Sequence, residues 1–338
     1  MSDPGFFRLG TFSSDTRAPY AGMLVGDRVI AVEALRVPGT MQDLLNNWQQ
    51  SFDALRRAAT AIASGAEPTL MNQSQPLSEL QVHAPVPRPG TLYCSGANYK
   101  KHVVDLIIAH RDQAETQGMT LEEKRAWGMK LMDERARSGT PFIFIKPLST
   151  VTGPFDPVVV PYDAMKPDWE LELGVVIGRR ARRVPQEHAL DYVAGYTIVN
   201  DITLREKVFR KKTDSPELGM DFTTSKGAPT FLPMGPYLVP AAFVGDPQQL
   251  RLTLKLNGEI MQNEDTSDMI FTVARLIEYL SHSVELQPGD VICTGSPAGN
   301  GMHYNRFIRD GDVLEGSIAG TGVELGTQHN PCILELST

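Results

Sequence analysis

Two glutamates stand in unexpected company in Asp168-Trp-Glu-Leu-Glu-Leu-Gly-Val-Val-Ile-Gly178. Residues two apart on a strand share a face, so Glu170 and Glu172 point the same way, on a face that continues through Gly174 to Val176. Trp169, Leu171, Leu173 and Val175 take the other face, and apolar residues on both sides mark an interior strand. Paired glutamates on a strand commonly line a wetted face. In an interior strand, two carboxylates repel and lose hydration unless a cation sits between them, and a divalent metal ion answers both problems. Asp201 follows the strand-like run 193–199 and offers a third carboxylate. Three carboxylates without a neighbouring Cys or His suit Mg2+ or Mn2+ before Zn2+.

Other residue types could act beside such an ion. In Asn98-Tyr-Lys-Lys-His102-Val-Val-Asp105, His102 and Asp105 are three apart, a helical neighbour spacing that lets a carboxylate orient a general base. By spacing alone, a surface ion pair near a helix start is the commoner outcome. Arg205, four residues beyond Asp201, is able to neutralise an acidic substrate or to be an ordinary surface arginine. Lys226 interrupts a loop of small residues and says little alone. Cys293-Thr-Gly-Ser-Pro-Ala-Gly-Asn-Gly301 fits no nucleotide-binding fingerprint; Gly295 and Ser296 offer donors to a small anion or make a tight turn.

The elements that must position these groups fall into two regions. Residues 1–85 read as a small N-terminal α/β module, with short strands at 8–12 and 21–25 and a helical stretch at 44–64, closed by Pro85, Pro87 and Pro89. Residues 86–338 hold the candidate chemistry. The spacing predicts a helical insertion over about 106–140, where Thr120 and Glu123 match a capping box, Trp127 and Leu131 share a face, and Gly139 ends the helix. This insertion is a lid or a dimer arm. Strands are expected at 142–145, 158–160, 170–177, 193–199, 237–239, 252–256, 291–294 and 313–318, with a hairpin turn at Asn257-Gly258. One helix is expected over 267–281, burying Ile270, Val273, Ala274, Ile277 and Leu280. Few helices alternate with the strands, so the class reads as α+β, predominantly β, with a curled antiparallel or mixed sheet.

The chain has 338 residues, 41% of them hydrophobic, and a formal charge of −8, which argues against nucleic acid or an anionic membrane as partner. No run approaches a membrane span, and the start Met1-Ser-Asp-Pro-Gly lacks the basic and apolar segments of a signal peptide. Three scattered cysteines form no disulfide framework, and a cytoplasmic location is expected.

Several segments occur in an order that resembles the fumarylacetoacetate hydrolase family: Gly96-Ala-Asn-Tyr-Lys-Lys-His102, Pro141-Phe-Ile-Phe-Ile-Lys-Pro147, Asp168-Trp-Glu-Leu-Glu-Leu173, Gly195-Tyr-Thr-Ile-Val-Asn-Asp201, Lys226, Met234-Gly-Pro236 and Pro288-Gly-Asp-Val-Ile-Cys-Thr-Gly-Ser-Pro-Ala-Gly299. The resemblance implies a mixed β-roll, a homodimer, and Glu170, Glu172 and Asp201 as ligands of one Mg2+ or Mn2+ ion. It implies a catalytic His102–Asp105 dyad with Lys226 as an oxyanion donor, and substrate contacts from Tyr99, Arg205, Gly295 and Ser296. The substrate class implied is a small β-dicarbonyl or acylpyruvate-type 2-oxo acid, cleaved hydrolytically at a C–C bond. The alternative is isomerisation of a 2-hydroxy-dienoate or decarboxylation of a 2-oxo acid. The chain departs from the pattern at Asp105, where dyad members usually carry Glu, at Val208 in place of Gln, and at Ser95, where some hydrolases place a fourth carboxylate. It also has a long stretch at 209–222.

Overall fold

The structure is a computed structural model that describes residues 3–37, 39–109, 116–210, 219–320 and 322–336. Its central sheet has six strands in the order Val239–Pro240, Val193–Asn200, Leu171–Ile177, Val291–Cys293, Leu92–Gly96 and Phe142–Lys146. Every residue of Leu171–Ile177 is buried, as expected for an interior strand. Leu171, Leu173, Val175 and Ile177 pack with Leu252, Leu254, Leu314 and Ile318 of a second, five-stranded sheet. Val176, on the opposite face, joins Val199, Val291 and Cys293 in a core completed by Phe7, Leu9, Leu45 and Leu55 of the leading module. One strand thus presents both its faces to packed layers, and its β-branched and leucine content fits that double burial.

The second sheet runs in the order Glu259–Asp265, Arg251–Leu256, Val313–Gly320, Val323–Leu334 and Val158–Val160. Asn257 and Gly258 both take positive φ (53° and 84°), making the predicted two-residue hairpin between Arg251–Leu256 and Glu259–Asp265. The leading module curls a five-stranded antiparallel sheet over the helix Trp48–Ala63. Parallel pairings among the described residues join Val291–Cys293 to Leu92–Gly96, Val323–Leu334 to Val158–Val160, and Leu232–Pro233 to Val151–Thr152. The architecture is α+β with mixed sheets, as the sequence indicates. No described helix is long and apolar enough to cross a membrane.

Two elements differ from expectation. The helix predicted over 267–281 begins at Val273 and ends at Ser283, capped by the Thr272 hydroxyl. Asn98 captures the residues before it: Ile270 N–H donates to its carbonyl at 2.7 Å and Phe271 N–H to its Oδ1 at 2.8 Å. In the insertion, helices Lys100–Ala109 and Leu121–Ser138 pack together, and Thr120 and Glu123 form the capping box. On Leu121–Ser138 the buried positions are Gly128 and Met132, where a glycine lets Val104 of the other helix approach. The long strand Val323–Leu334 was not anticipated. Its inward positions include the polar Gln328 and Asn330, whose amides donate to Ile198 O (3.0 Å) and Asp156 O (2.8 Å), so no apolar alternation announces it. Much of the 209–222 stretch lies outside the described residues.

Leu171 is fully buried between the two acidic positions. Leu171→Ala is expected to lower unfolding free energy by about 2–5 kcal/mol in urea denaturation, the usual range for a truncated core leucine.

Candidate active site

Register brings the acidic residues together. Leu171 pairs with Asn200 and Gly174 with Cys293, so the start of one strand meets the ends of two others. Continuing the first ladder, Asp201 N–H donates to Glu170 O at 2.8 Å. Continuing the second, Gly295 N–H donates to Glu172 Oε2 at 2.7 Å. Carboxylate oxygens of Glu170, Glu172 and Asp201 lie within 4.8 Å of one another, and all three residues are buried. Asn200 Oδ1 accepts from Glu170 N–H at 2.9 Å and fixes the turn into the strand.

Three cations surround this cluster. Lys146, on the inner end of Phe142–Lys146, donates to Asp201 Oδ1 at 2.5 Å. Arg205 bridges Asp168 (2.7 Å) and Glu170 (2.6 Å). Lys226 ends the short helix Phe222–Lys226, and its ammonium donates to Glu170 Oε2 (2.6 Å), Asp201 Oδ2 (2.5 Å) and Thr203 Oγ1 (2.6 Å). An ammonium has three N–H donors, so Lys226 is saturated by these acceptors. These contacts hold the Glu170 and Asp201 carboxylates in place.

The charges tune one another. Burial alone would raise the Glu170 carboxyl, but Arg205 and Lys226 outweigh it and hold it well below the usual carboxylate range. Burial disfavours the Lys226 charge, yet Asp201 and Glu170 overcompensate and raise it. Glu172 makes no ion pair among the described residues. Burial and the adjacent Asp201 carboxylate push it well above the usual range. Four carboxylates (Asp168, Glu170, Glu172 and Asp201) thus face three cations, with the unmatched charge at Glu172. That donor set, all hard oxygens with one uncompensated carboxylate, fits a divalent cation held by Glu170, Glu172 and Asp201.

These groups border a cavity of about 390 Å³ that His102, Ser95, Ser296 and Asn300 also line. His102 is buried on the helix Lys100–Ala109; burial lowers its pKa to about 4 against the partial opposition of Glu170, so it is neutral at pH 7. His102 and Asp105 border one small hollow of about 160 Å³ with Asn300 and His303. The Asp105 carboxylate faces Arg125 (3.4 Å) and His303 (3.6 Å), two cation-forming groups more exposed than His102. Tyr99, expected to touch substrate, is fully buried with its ring in the main core and its hydroxyl without a hydrogen-bond partner among the described residues. Gly295 spends its N–H on Glu172, and its φ of +95° leaves a Cβ no room beside Asn98.

Sequence reasoning did not assign several residues that build the site. Asp168 accepts from Gly301 N–H (2.5 Å) and Met302 N–H (3.2 Å) as well as from Arg205, tying the glycine-rich loop to the cluster. Lys146 and Asn300 sit inside quoted motifs, but nothing in their spacing marks them. The Asn300 side-chain nitrogen and the Ser95 hydroxyl are buried without a hydrogen-bond partner among the described residues. Buried polar groups are rarely left unpaired, so both are candidate ligand contacts. A larger surface hollow of about 960 Å³, lined by Phe6, Phe243 and Val323, holds no comparable cluster among the described residues.

Comparison with known proteins places this geometry among relatives. The family model described as fumarylacetoacetate (FAA) hydrolase C-terminal matches residues 91–331, and fumarylacetoacetase N-terminal domain 2 matches residues 7–88. A Burkholderia cenocepacia protein named as a hydrolase is 43% identical over 211 residues, 60% of this chain and 72% of the relative. The crystal structure of maleylpyruvate hydrolase from Sphingobium sp. SYK-6, in complex with manganese(II) and pyruvate, is similar at 26% identity and a TM-score of 0.68, over 97% of this chain and 100% of that one. The crystal structure of 2-hydroxyhepta-2,4-diene-1,7-dioate isomerase from Mycobacterium marinum is similar at 26% identity and a TM-score of 0.64, over 98% and 100%.

Two outcomes follow from the electrostatics. Glu172→Gln removes a buried carboxyl that has no counter-charge among the described residues, so the metal-free protein should melt at a higher temperature than wild type, while the stabilisation by Mn2+ or Mg2+ disappears. In wild type, an ion at 100 times its Kd should add about 2.7 kcal/mol; thermal denaturation with and without ion reads both. For His102, the folded pKa of about 4 lies below the ordinary 6.5, so the unfolded chain takes up the proton first as pH falls. Stability should therefore decline between pH 6.5 and 4, at up to about 1.4 kcal/mol per pH unit. His102→Gln should flatten that segment of the stability–pH curve.

Proposed function

The chain belongs to the fumarylacetoacetate hydrolase family, and on that premise we propose that it is a divalent-metal-dependent hydrolase of small acylpyruvates or related β-dicarbonyl acids. One observation carries this reading: a buried carboxylate triad and a buried, neutral histidine line the same cavity. The family and the enzymes among its structural neighbours favour catalysis over a purely structural metal site.

Glu170, Glu172 and Asp201 hold the ion, Mn2+ or Mg2+, which when bound supplies Lewis-acid polarisation of the substrate oxygens. The chain's own residues do the rest. His102 takes a proton from water, and the water oxygen adds to the acyl carbon. The developing oxyanion meets the unpaired Asn300 amide nitrogen and the Ser296 hydroxyl, both of which line the cavity. The bond between the acyl carbon and the methylene then breaks with its electron pair on the methylene side. That carbon receives the proton from His102, giving a carboxylic acid and a 2-oxo acid. Arg205 and Lys226 keep the acids ionised and in register throughout.

The isomerase reading draws on a specific feature, the Asp105 carboxylate turned to Arg125 and His303. Proton transfer within a 2-hydroxy-dienoate needs no base oriented for water. Metal-reconstituted protein should release acetate and pyruvate from acetylpyruvate, followed by NMR so that cleavage products are resolved from tautomers, and EDTA should abolish the release. His102→Ala should reduce kcat by about 10²-fold or more, and Asn300→Ala by about 10²–10³-fold. Wild-type rates in His102→Ala, or activity indifferent to EDTA, would defeat the reading.

A further inference from the structure

Two separate elements leave the acidic cluster in the same chemical order. On the strand Phe142–Lys146, residues 146, 144 and 142 share a face. Lys146 is fully buried against Asp201, Phe144 is half-buried, and Phe142 is 42% exposed at the mouth. On the helix Phe222–Lys226, positions four apart are neighbours, so Lys226 at the acids is followed outward by Phe222. The two phenyl rows meet. Phe222 stacks on Phe144 at 4.5 Å and 13°, and lies 5.6 Å from Phe142. Phe144 is also 5.5 Å from the Lys226 ammonium, so the aromatic wall begins where the charge cluster ends.

Phe209, Met220 and Met302 line the same cavity and are 64%, 47% and 45% exposed. Exposed large apolar side chains concentrated around one opening mark a surface that something apolar covers. Among the described residues lining the cavity, the cations are Arg205 and Lys226, and both are committed to carboxylates, as is Lys146 beneath them. Arg210, next to Phe209, pairs with Asp221 at 2.9 Å. Among the described residues, the outer half of the cavity therefore presents apolar surface and no uncommitted cation.

Resting on the hydrolase reading, we propose that the substrate carries an apolar acyl group, an aryl or medium-length alkyl tail, seated against Phe142, Phe144 and Phe222 and bordered by Phe209, Met220 and Met302, with its dicarbonyl head at the acidic cluster. Phe144 and Phe222 are specificity-determining residues.

The test uses the full chain with Mn2+ and a set of acylpyruvates sharing one head: acetylpyruvate, hexanoylpyruvate, benzoylpyruvate and the carboxylate-ended succinylpyruvate. Pyruvate release should give kcat/KM at least tenfold higher for the hexanoyl and benzoyl compounds than for acetylpyruvate, with succinylpyruvate below them. Phe222→Ser should cut the benzoyl-to-acetyl ratio at least fivefold. Phe209→Arg, at an exposed position that tolerates charge, should raise the succinyl-to-benzoyl ratio. Equal or greater activity on succinylpyruvate in wild type overturns the apolar tail. Calorimetric binding of the same compounds separates the two readings. Tail-selective binding without turnover sustains the tail and sinks hydrolysis, turnover without tail preference does the reverse, and neither turnover nor selective binding ends both.

Discussion

Burying four carboxylates at the meeting ends of three strands is the constraint on which the rest of the site depends. A carboxylate taken out of water needs a cation or several donors; Asp168, Glu170 and Asp201 have cations, and Glu172 has the Gly295 N–H. Lys146, Arg205 and Lys226 come from three different elements to meet them. Each pairing fixes the position of the segment that brings it: the edge strand at 146, the turn at 205 and the short helix at 226. Acid placement thus organises the polypeptide around the cavity.

The rigid base for this arrangement is a strand with no exposed face. Leu171–Ile177 is pinned by the second sheet on one side and by the leading module on the other. A one-residue slip would exchange Glu172 for a leucine at the cluster and drive charges into the core, so register is strongly specified. The backbone amide of Gly295 then reaches Glu172 because the neighbouring strand is held in the same ladder. Precision in the site is inherited from packing in the sheets.

Much of this was legible in the chain. The alternation around Glu170 and Glu172, the strand before Asp201, the capping box at Thr120 and the turn at Asn257-Gly258 are local patterns, and each appears as read. Other features rest on contacts that are distant along the chain. The ring of Tyr99 is drawn into the main core. Lys226 takes its three acceptors from residues 170, 201 and 203. The helix at 273 starts late because Asn98, some 170 residues away in sequence, claims the backbone before it.

The sequence by itself determined which side chains share a face and which residue types cluster along the chain, since strand and helix periods are local properties. It therefore identified the acidic triad and the class of ion it suits. Only the tertiary structure decided the partners: that Asp168 and Lys146 belong to the site, that Glu172 alone lacks a counter-charge among the described residues, and that phenyl rings line the way out. Those outcomes turn on contacts such as Lys146 with Asp201 and Gly301 with Asp168, 55 and 133 residues apart. Electrostatic and packing energies depend on distance through space, and sequence spacing carries no record of that distance.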